Sequence, residues 1–337
     1  MDGNRIADSS NRPRRSTRQG IKRMHLQGQT VGVIAPAGVP DMNNVARGIA
    51  LLESWGLEVR VGAHVTKRFR TFAGTHEERR ADLAWALTDP SIDIVWVARG
   101  GYGCVHCLPA IPPALPREKT VIGFSDATAL FCAMSGMPKA RLIHGPSLGS
   151  LAAHVDDASR QSVLTALTNG AAGIAPAISL THLHGPQTRV SGRLHGGNIT
   201  TLASVAGTRW QADCRDAIVL LEDITELGYR LDRSIMLLKE SGTFDGARAF
   251  VFGEFVRCPL PEGADYTLHD ILVDLLAPYG VPIFAGMPIG HAAQNVAWTY
   301  GAPAHIENGR LLLDASRDTN TADASASLLS SLSSPSK

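Results

Sequence analysis

Through the first half of the chain apolar residues gather into short unbroken runs, and between the runs they return every three or four positions. Thr30 to Ala35, Leu57 to Val61, Ile92 to Ala98 and the run opening at Val121 have strand length and little internal polarity, as strands buried on both faces do. Met42 to Trp55 carries helical spacing. Thr75-His-Glu-Glu78 is a capping box that opens a further helix. Strand and helix in alternation predict a doubly wound parallel sheet.

From Ser150 to Gln187 the pattern loosens around Asn169-Gly-Ala-Ala-Gly and scattered Pro and His, which reads as a connection between domains. A second α/β unit follows, with strands expected at Ala217 to Leu221, Ala249 to Phe255 and Arg310 to Leu313, and helices at Tyr229 to Glu240 and Leu268 to Leu276. The expected organisation is an extension over 1–28, an N-terminal domain over 29–150, a connection over 151–187, a C-terminal domain over 188–315 and a Ser/Ala-rich tail over 316–337.

Composition narrows the class without choosing a function. The chain of 337 residues is 44% hydrophobic and 19% charged with a formal net charge of +1, and nothing in that balance argues for nucleic acid or membrane, so neither is expected as a partner. Arg5, Arg12, Arg14, Arg15, Arg18, Lys22 and Arg23 crowd the start, but no apolar segment follows Arg14-Arg15 as an export signal requires, so a disordered basic extension is expected. No run approaches the ~20 apolar residues of a membrane span. Five cysteines, an odd and sparse set, fit the reducing cytoplasm better than a disulfide framework.

Candidate chemistry centres on Val121-Ile-Gly-Phe-Ser125-Asp-Ala-Thr, which reads as strand, sharp turn and helix with a serine at the apex. Such a turn presents a hydroxyl to a ligand with helix amides beside it, although Ser, Asp and Thr before an apolar run also describe an ordinary helix cap. Upstream, Arg99-Gly-Gly-Tyr-Gly103 follows another strand and precedes an expected helix; its glycines let bare N–H groups approach an anion or oxyanion. A serine nucleophile needs a base oriented by an acid. Glu222 and Asp223 end a strand and His291 ends a Pro/Gly turn, positions that equally suit a loop cap and a satisfied structural histidine.

Cys104-Val-His-Cys107 lacks a second cysteine pair for zinc, and His182 with His184, joined by His195, is the best metal alternative. No phosphate-loop or dinucleotide fingerprint accompanies the glycine-rich loop. Arg230 and Arg233 suit either a substrate carboxylate or a domain brace.

Taken together, Val33-Ile-Ala-Pro-Ala-Gly38, Phe72-Ala-Gly74, Arg99-Gly-Gly-Tyr-Gly103, Gly123-Phe-Ser-Asp126, His144-Gly-Pro146, Gly196-Gly-Asn198, Leu221-Glu-Asp223, Tyr229-Arg-Leu-Asp-Arg233 and Gly290-His291 resemble the LD-carboxypeptidase family of serine peptidases over about residues 30 to 313. The resemblance implies a flavodoxin-like N-terminal domain, a mixed α/β C-terminal domain and an active site at their interface. It implies Ser125 as nucleophile, Glu222 as acid, His291 as base, and the amides of Gly101 and Asp126 as oxyanion hole, with no cofactor and no metal. Release of terminal D-alanine from a murein tetrapeptide by a cytoplasmic homodimer is the activity it implies. The family also includes microcin C self-immunity peptidases, which cut a peptide-nucleotide, and that is the alternative substrate. More distant stands a metal- or nucleotide-binding α/β protein.

Overall fold

The structure, a computed structural model, describes residues 26–168 and 177–314. Most of the expected basic extension and the whole Ser/Ala-rich tail lie outside the described residues. Five parallel strands, β1 (Thr30–Ile34), β2 (Glu58–Val61), β3 (Ile94–Val97), β4 (Lys119–Gly123) and β5 (Ala140–His144), form the first sheet in the order β5-β4-β3-β1-β2. Helices α1 (Met42–Ser54), α2 (His76–Thr88) and α3 (Thr128–Met134) are crossovers of this winding.

Local chemistry explains the boundaries. Asp41 caps α1 by accepting from the amides of Asn43 and Asn44, and α2 starts on the reciprocal Thr75–Glu78 box. The helix expected after Gly103 does not form. Short 3₁₀ turns stand at Cys104–His106 and Leu108–Ala110 instead, because Pro109, Pro112 and Pro113 remove donors and push the preceding residues out of the helical region.

The stretch between the domains is itself structured. It carries α4 (Leu148–Leu151), α5 (Asp157–Thr168), β6 (Ile178–Ser179) and β7 (Thr181–His184). Beyond it lie β8 (Val190–Asn198), α6 (Ile199–Val205), β9 (Ala217–Ile224), α7 (Gly228–Glu240), β10 (Ala249–Val256), α8 (Leu268–Leu276) and β11 (Ile283–Ala285). Then come β12 (Trp298–Thr299), β13 (Pro303–Glu307) and β14 (Arg310–Leu313). The second sheet runs β6-β14-β13-β8-β9-β10-β11-β7, parallel at its centre and antiparallel towards both ends. Leu180 alone separates β6 from β7, so the two ends of the sheet meet and the sheet curls round on itself.

Two connections weld the domains. β12 returns to the first sheet and pairs antiparallel with β5, Trp298 opposite His144. At the base of α3, Thr128 packs on Gly197, where a Cβ would come within 2.5 Å of its hydroxyl, and that hydroxyl accepts from the Asn198 amide at 3.2 Å. One buried cluster accordingly runs from Leu83, Val121 and Phe131 of the first domain through Leu194, Leu220 and Phe252 of the second.

Candidate active site

The carboxyl end of β4 delivers Phe124 in extended backbone and then Ser125 at φ 60°, a left-handed conformation uncommon for a residue with a Cβ. Gly123 makes the bend possible, since a Cβ there would lie 2.8 Å from that of Ala127. Ser125–Ala127 forms a 3₁₀ turn that leads into α3.

Against this turn lies the glycine-rich loop after β3. A Cβ on Gly100 would fall 3.0 Å from Ser125 Cβ and 3.1 Å from its Oγ, so only a glycine admits the serine hydroxyl without displacement. The buried Asp126 carboxylate accepts from the Cys104 amide at 2.7 Å and so ties the loop to the turn. Burial pushes the Asp126 carboxyl up, and amide donors at Cys104 and Gly103 oppose the shift. The N–H groups of Gly101 and Asp126 have no acceptor among the described residues.

From the other domain, β9 ends on Glu222 and Asp223, and the structure separates their roles. Asp223 is consumed in bracing. It accepts from Asn198 Nδ2 at 3.0 Å, the Thr200 amide and hydroxyl at 2.9 and 2.8 Å, and the Ile224 amide at 2.8 Å. Burial first, then the neighbouring Glu222 charge, raises its pKa. Glu222, fully buried, turns instead to His291, whose Nδ1 stands 2.9 Å from Glu222 Oε2. A carboxylate only accepts, so Nδ1 carries the proton and Nε2 is left basic.

The His291 ring packs on Phe124 with centroids 4.7 Å apart, which sets it beside the residue preceding Ser125. Ser125 Oγ and His291 Nε2 are not hydrogen-bonded to each other here. Contacts of this kind commonly tighten on substrate binding. Gly101, Ser125, Asp126 and His291 all line one cavity of about 540 Å³, with Glu222 behind His291. The carboxyl edge of the first sheet thus faces that of the second across a common space.

The competing constellations disperse. Cys104 and Cys107 are buried free thiols, and burial pushes the Cys107 thiol up to about 11, the opposite of an activated cysteine. His182 Nε2 reaches the Gly185 carbonyl at 3.0 Å, and β9, β10 and β11 stand between its strand and that of His195. No group of three His, Cys, Asp or Glu suited to a metal occurs among the described residues. Arg230 and Arg233 lie over the Tyr229 ring, outside the cavity. Sequence reasoning missed Arg99, Ser147, Ser150 and Thr200 as cavity-lining residues; Gly196-Gly-Asn198 was legible as a motif without its bracing role.

A two-domain α/β fold with a buried carboxylate, a histidine and a strand-end serine converging on one cavity has the architecture of a hydrolase. The comparisons specify which kind. Residues 31–145 match the LD-carboxypeptidase N-terminal domain and residues 191–306 the LD-carboxypeptidase C-terminal domain. The chain belongs to the LD-carboxypeptidase family of peptidases. It is similar to the murein tetrapeptide carboxypeptidase of Pseudomonas aeruginosa, 38% identical over 294 residues that cover 83% of this chain and 94% of the relative. The crystal structure of a muramoyltetrapeptide carboxypeptidase from Oxalobacter formigenes superposes with a TM-score of 0.72 at 29% identity, covering 85% of this chain and 98% of that one. The microcin C7 self-immunity protein MccF shares the fold, with a TM-score of 0.73 at 22% identity over 86% of this chain and 96% of that one.

Proposed function

We propose that the protein is a serine carboxypeptidase that releases D-alanine from the end of a murein tetrapeptide. The observation that carries the reading is the Glu222–His291 pair at 2.9 Å, its ring resting on the residue that introduces Ser125. In this mechanism Ser125 Oγ attacks the carbonyl carbon of the last peptide bond while His291 Nε2 takes its proton. Glu222 holds the tautomer and stabilises the imidazolium. The Gly101 and Asp126 amides receive the carbonyl oxygen as it gains charge, each donor being worth on the order of 10²–10³ in rate. His291 then protonates the departing amine of D-alanine, and water, deprotonated by the same imidazole, cleaves the acyl-enzyme.

The tetrapeptide as substrate is supported by the murein-directed relative at 38% identity. Residues 150–187 contain no Trp, Tyr or Phe to stack on a nucleobase, which favours a peptide over a peptide-nucleotide. Five free cysteines support a cytoplasmic site of action. A homodimer completes the reading.

The test is incubation of the purified protein with free murein tetrapeptide, pentapeptide and a processed microcin, with products identified by mass. Release of D-alanine from the tetrapeptide is expected, with little from the pentapeptide, whose terminal bond joins two D-residues. Reversed chirality at the acyl residue moves the carbonyl off Ser125, and ~1 Å of misplacement costs about 10²-fold. Preferential cleavage of the pentapeptide would overturn the substrate; preferential cleavage of the microcin would move the protein to the immunity branch.

A further inference from the structure

We propose that Arg99, with the hydroxyls of Ser147 and Ser150, seats the terminal carboxylate of the substrate. The proposal rests on the carboxypeptidase reading above and gives it a means of telling a chain end from an interior bond.

A carboxypeptidase acts where the chain stops, and what marks that point chemically is a negative charge one residue beyond the scissile carbonyl, about 3.8 Å from Cα to Cα. Recognition of that mark calls for a cation close to the nucleophile. Arg99 immediately precedes Gly100, the residue packed on Ser125, and lines the same cavity. One of its five N–H donors is engaged, Nη1 donating to the Val39 carbonyl at 2.6 Å, and it forms no ion pair among the described residues.

The other charged groups lining the cavity are committed. Asp126 and Asp223 are buried and bonded to amides, Glu226 lies 3.8 Å from Arg230, and His291 is held by Glu222. Arg99 is therefore the cation in this cavity without a counter-charge among the described residues. Ser147 and Ser150 stand beside it with hydroxyls 2.7 Å apart. Two hydroxyls that share one hydrogen bond leave one O–H free to donate outward. A guanidinium fork with an adjacent hydroxyl is complementary to a carboxylate, whereas an uncharged amide would forfeit the charge-assisted bonds. Asp41, in the hollow of about 230 Å³ that Arg99, Ser147 and Ser150 also line, is occupied with capping α1.

The experiment compares the tetrapeptide with its C-terminal amide on the wild type, Arg99→Gln and Arg99→Lys, all checked for an unchanged fold by circular dichroism. The wild type is expected to favour the free acid by about 10- to 100-fold in kcat/KM, Arg99→Gln to bring that ratio close to one, and Arg99→Lys to keep part of it. Equal loss on acid and amide in Arg99→Gln would mean that Arg99 merely braces its loop, and would overturn the proposal while leaving the carboxypeptidase reading intact. Saturation-transfer NMR on the Ser125→Ala protein reads the same site without turnover. D-alanine should show contact and D-alaninamide should not, and Arg99→Gln should abolish the signal. If the tetrapeptide is not cut at all, the carboxypeptidase reading fails and the NMR result decides the carboxylate site; D-alanine and its amide binding alike, or neither binding, would refute it.

Discussion

Gly38 and Gly100 are joined by a hydrogen bond of 3.1 Å, the amide of the first donating to the carbonyl of the second. A trans peptide sets its C=O and N–H on opposite sides, so anchoring the Gly100 carbonyl on Gly38 turns the Gly101 N–H the other way. The orientation of one proposed oxyanion donor is thus inherited from a loop more than sixty residues upstream. Gly101 at φ 105° is the conformation that this orientation requires, and a residue with a Cβ would be strained there.

Gly100→Ala should separate catalysis from stability. Its Cβ would press on Ser125 Cβ and Oγ at 3.0 and 3.1 Å, and the Phe124 carbonyl at 3.5 Å is an ordinary contact. We expect kcat to fall by on the order of 10²-fold through displacement of the hydroxyl, with Tm shifted by only a few degrees. Unchanged kcat would show that the serine is not confined by this loop.

Ser125→Ala and His291→Ala should each lower kcat by several orders of magnitude, and the double variant should be scarcely worse than either, because the two act on one proton transfer. Glu222→Gln keeps the shape of a fully buried side chain but can present a donor to Nδ1, favouring the wrong tautomer; a loss on the order of 10⁴ is expected. Single-turnover kinetics on folded variants checks all four. Multiplicative losses in the double variant would argue that serine and histidine act separately.

Stability should fall on mild acidification because of two histidines outside the proposed triad. His144 is enclosed by Phe124, Phe131 and Trp298 with neither ring nitrogen bonded among the described residues, and burial, aided by His291, pushes it down to about 3. Burial takes His195 down to about 4. Both pKa values lie below the ordinary 6.5, so the unfolded chain binds more protons than the native one between about pH 3 and 6.5. Stability is then full above pH 6.5 and drains away below it, by up to about 1.4 kcal/mol per pH unit for each group. Urea unfolding from pH 7 to 4.5 should show this slope, and His144→Gln should flatten it; an unaltered slope would mean that His144 is protonated within the fold.

Much of the architecture was legible because it is local. The helix expected at Leu268 to Leu276 and the strand at Arg310 to Leu313 fall where apolar periodicity put them, and the Thr75 capping box forms as its spacing requires. Strand-end loops drew attention to Ser125, to the glycine-rich loop and to His291 while leaving capping and structural roles open, and the family resemblance singled out Gly101, Asp126 and His291; with Ser125, all of them line one cavity. What stayed hidden is non-local. A two-residue strand such as β12 has no period to read, and its partner β5 lies across the domain boundary. Glu222 and Asp223 are adjacent acids on one strand end, told apart only by what folds against them: His291 for one, Asn198 and Thr200 for the other. Arg99 drew no notice beside its glycines because an exposed arginine acquires meaning from the cavity it borders.

The late return of β12 has a consequence for the newborn chain. Ser125 emerges from the ribosome long before His291, and the strand that finishes its own sheet follows His291 by only a few residues. During most of synthesis Ser125 has neither its proposed base nor a completed sheet, so under the proposed mechanism a truncated chain is expected to be inert. The proposed base and the strand that completes the first sheet thus reach the chain within one short segment, and only β13 and β14, which fill the second sheet between β8 and β6, remain to be added.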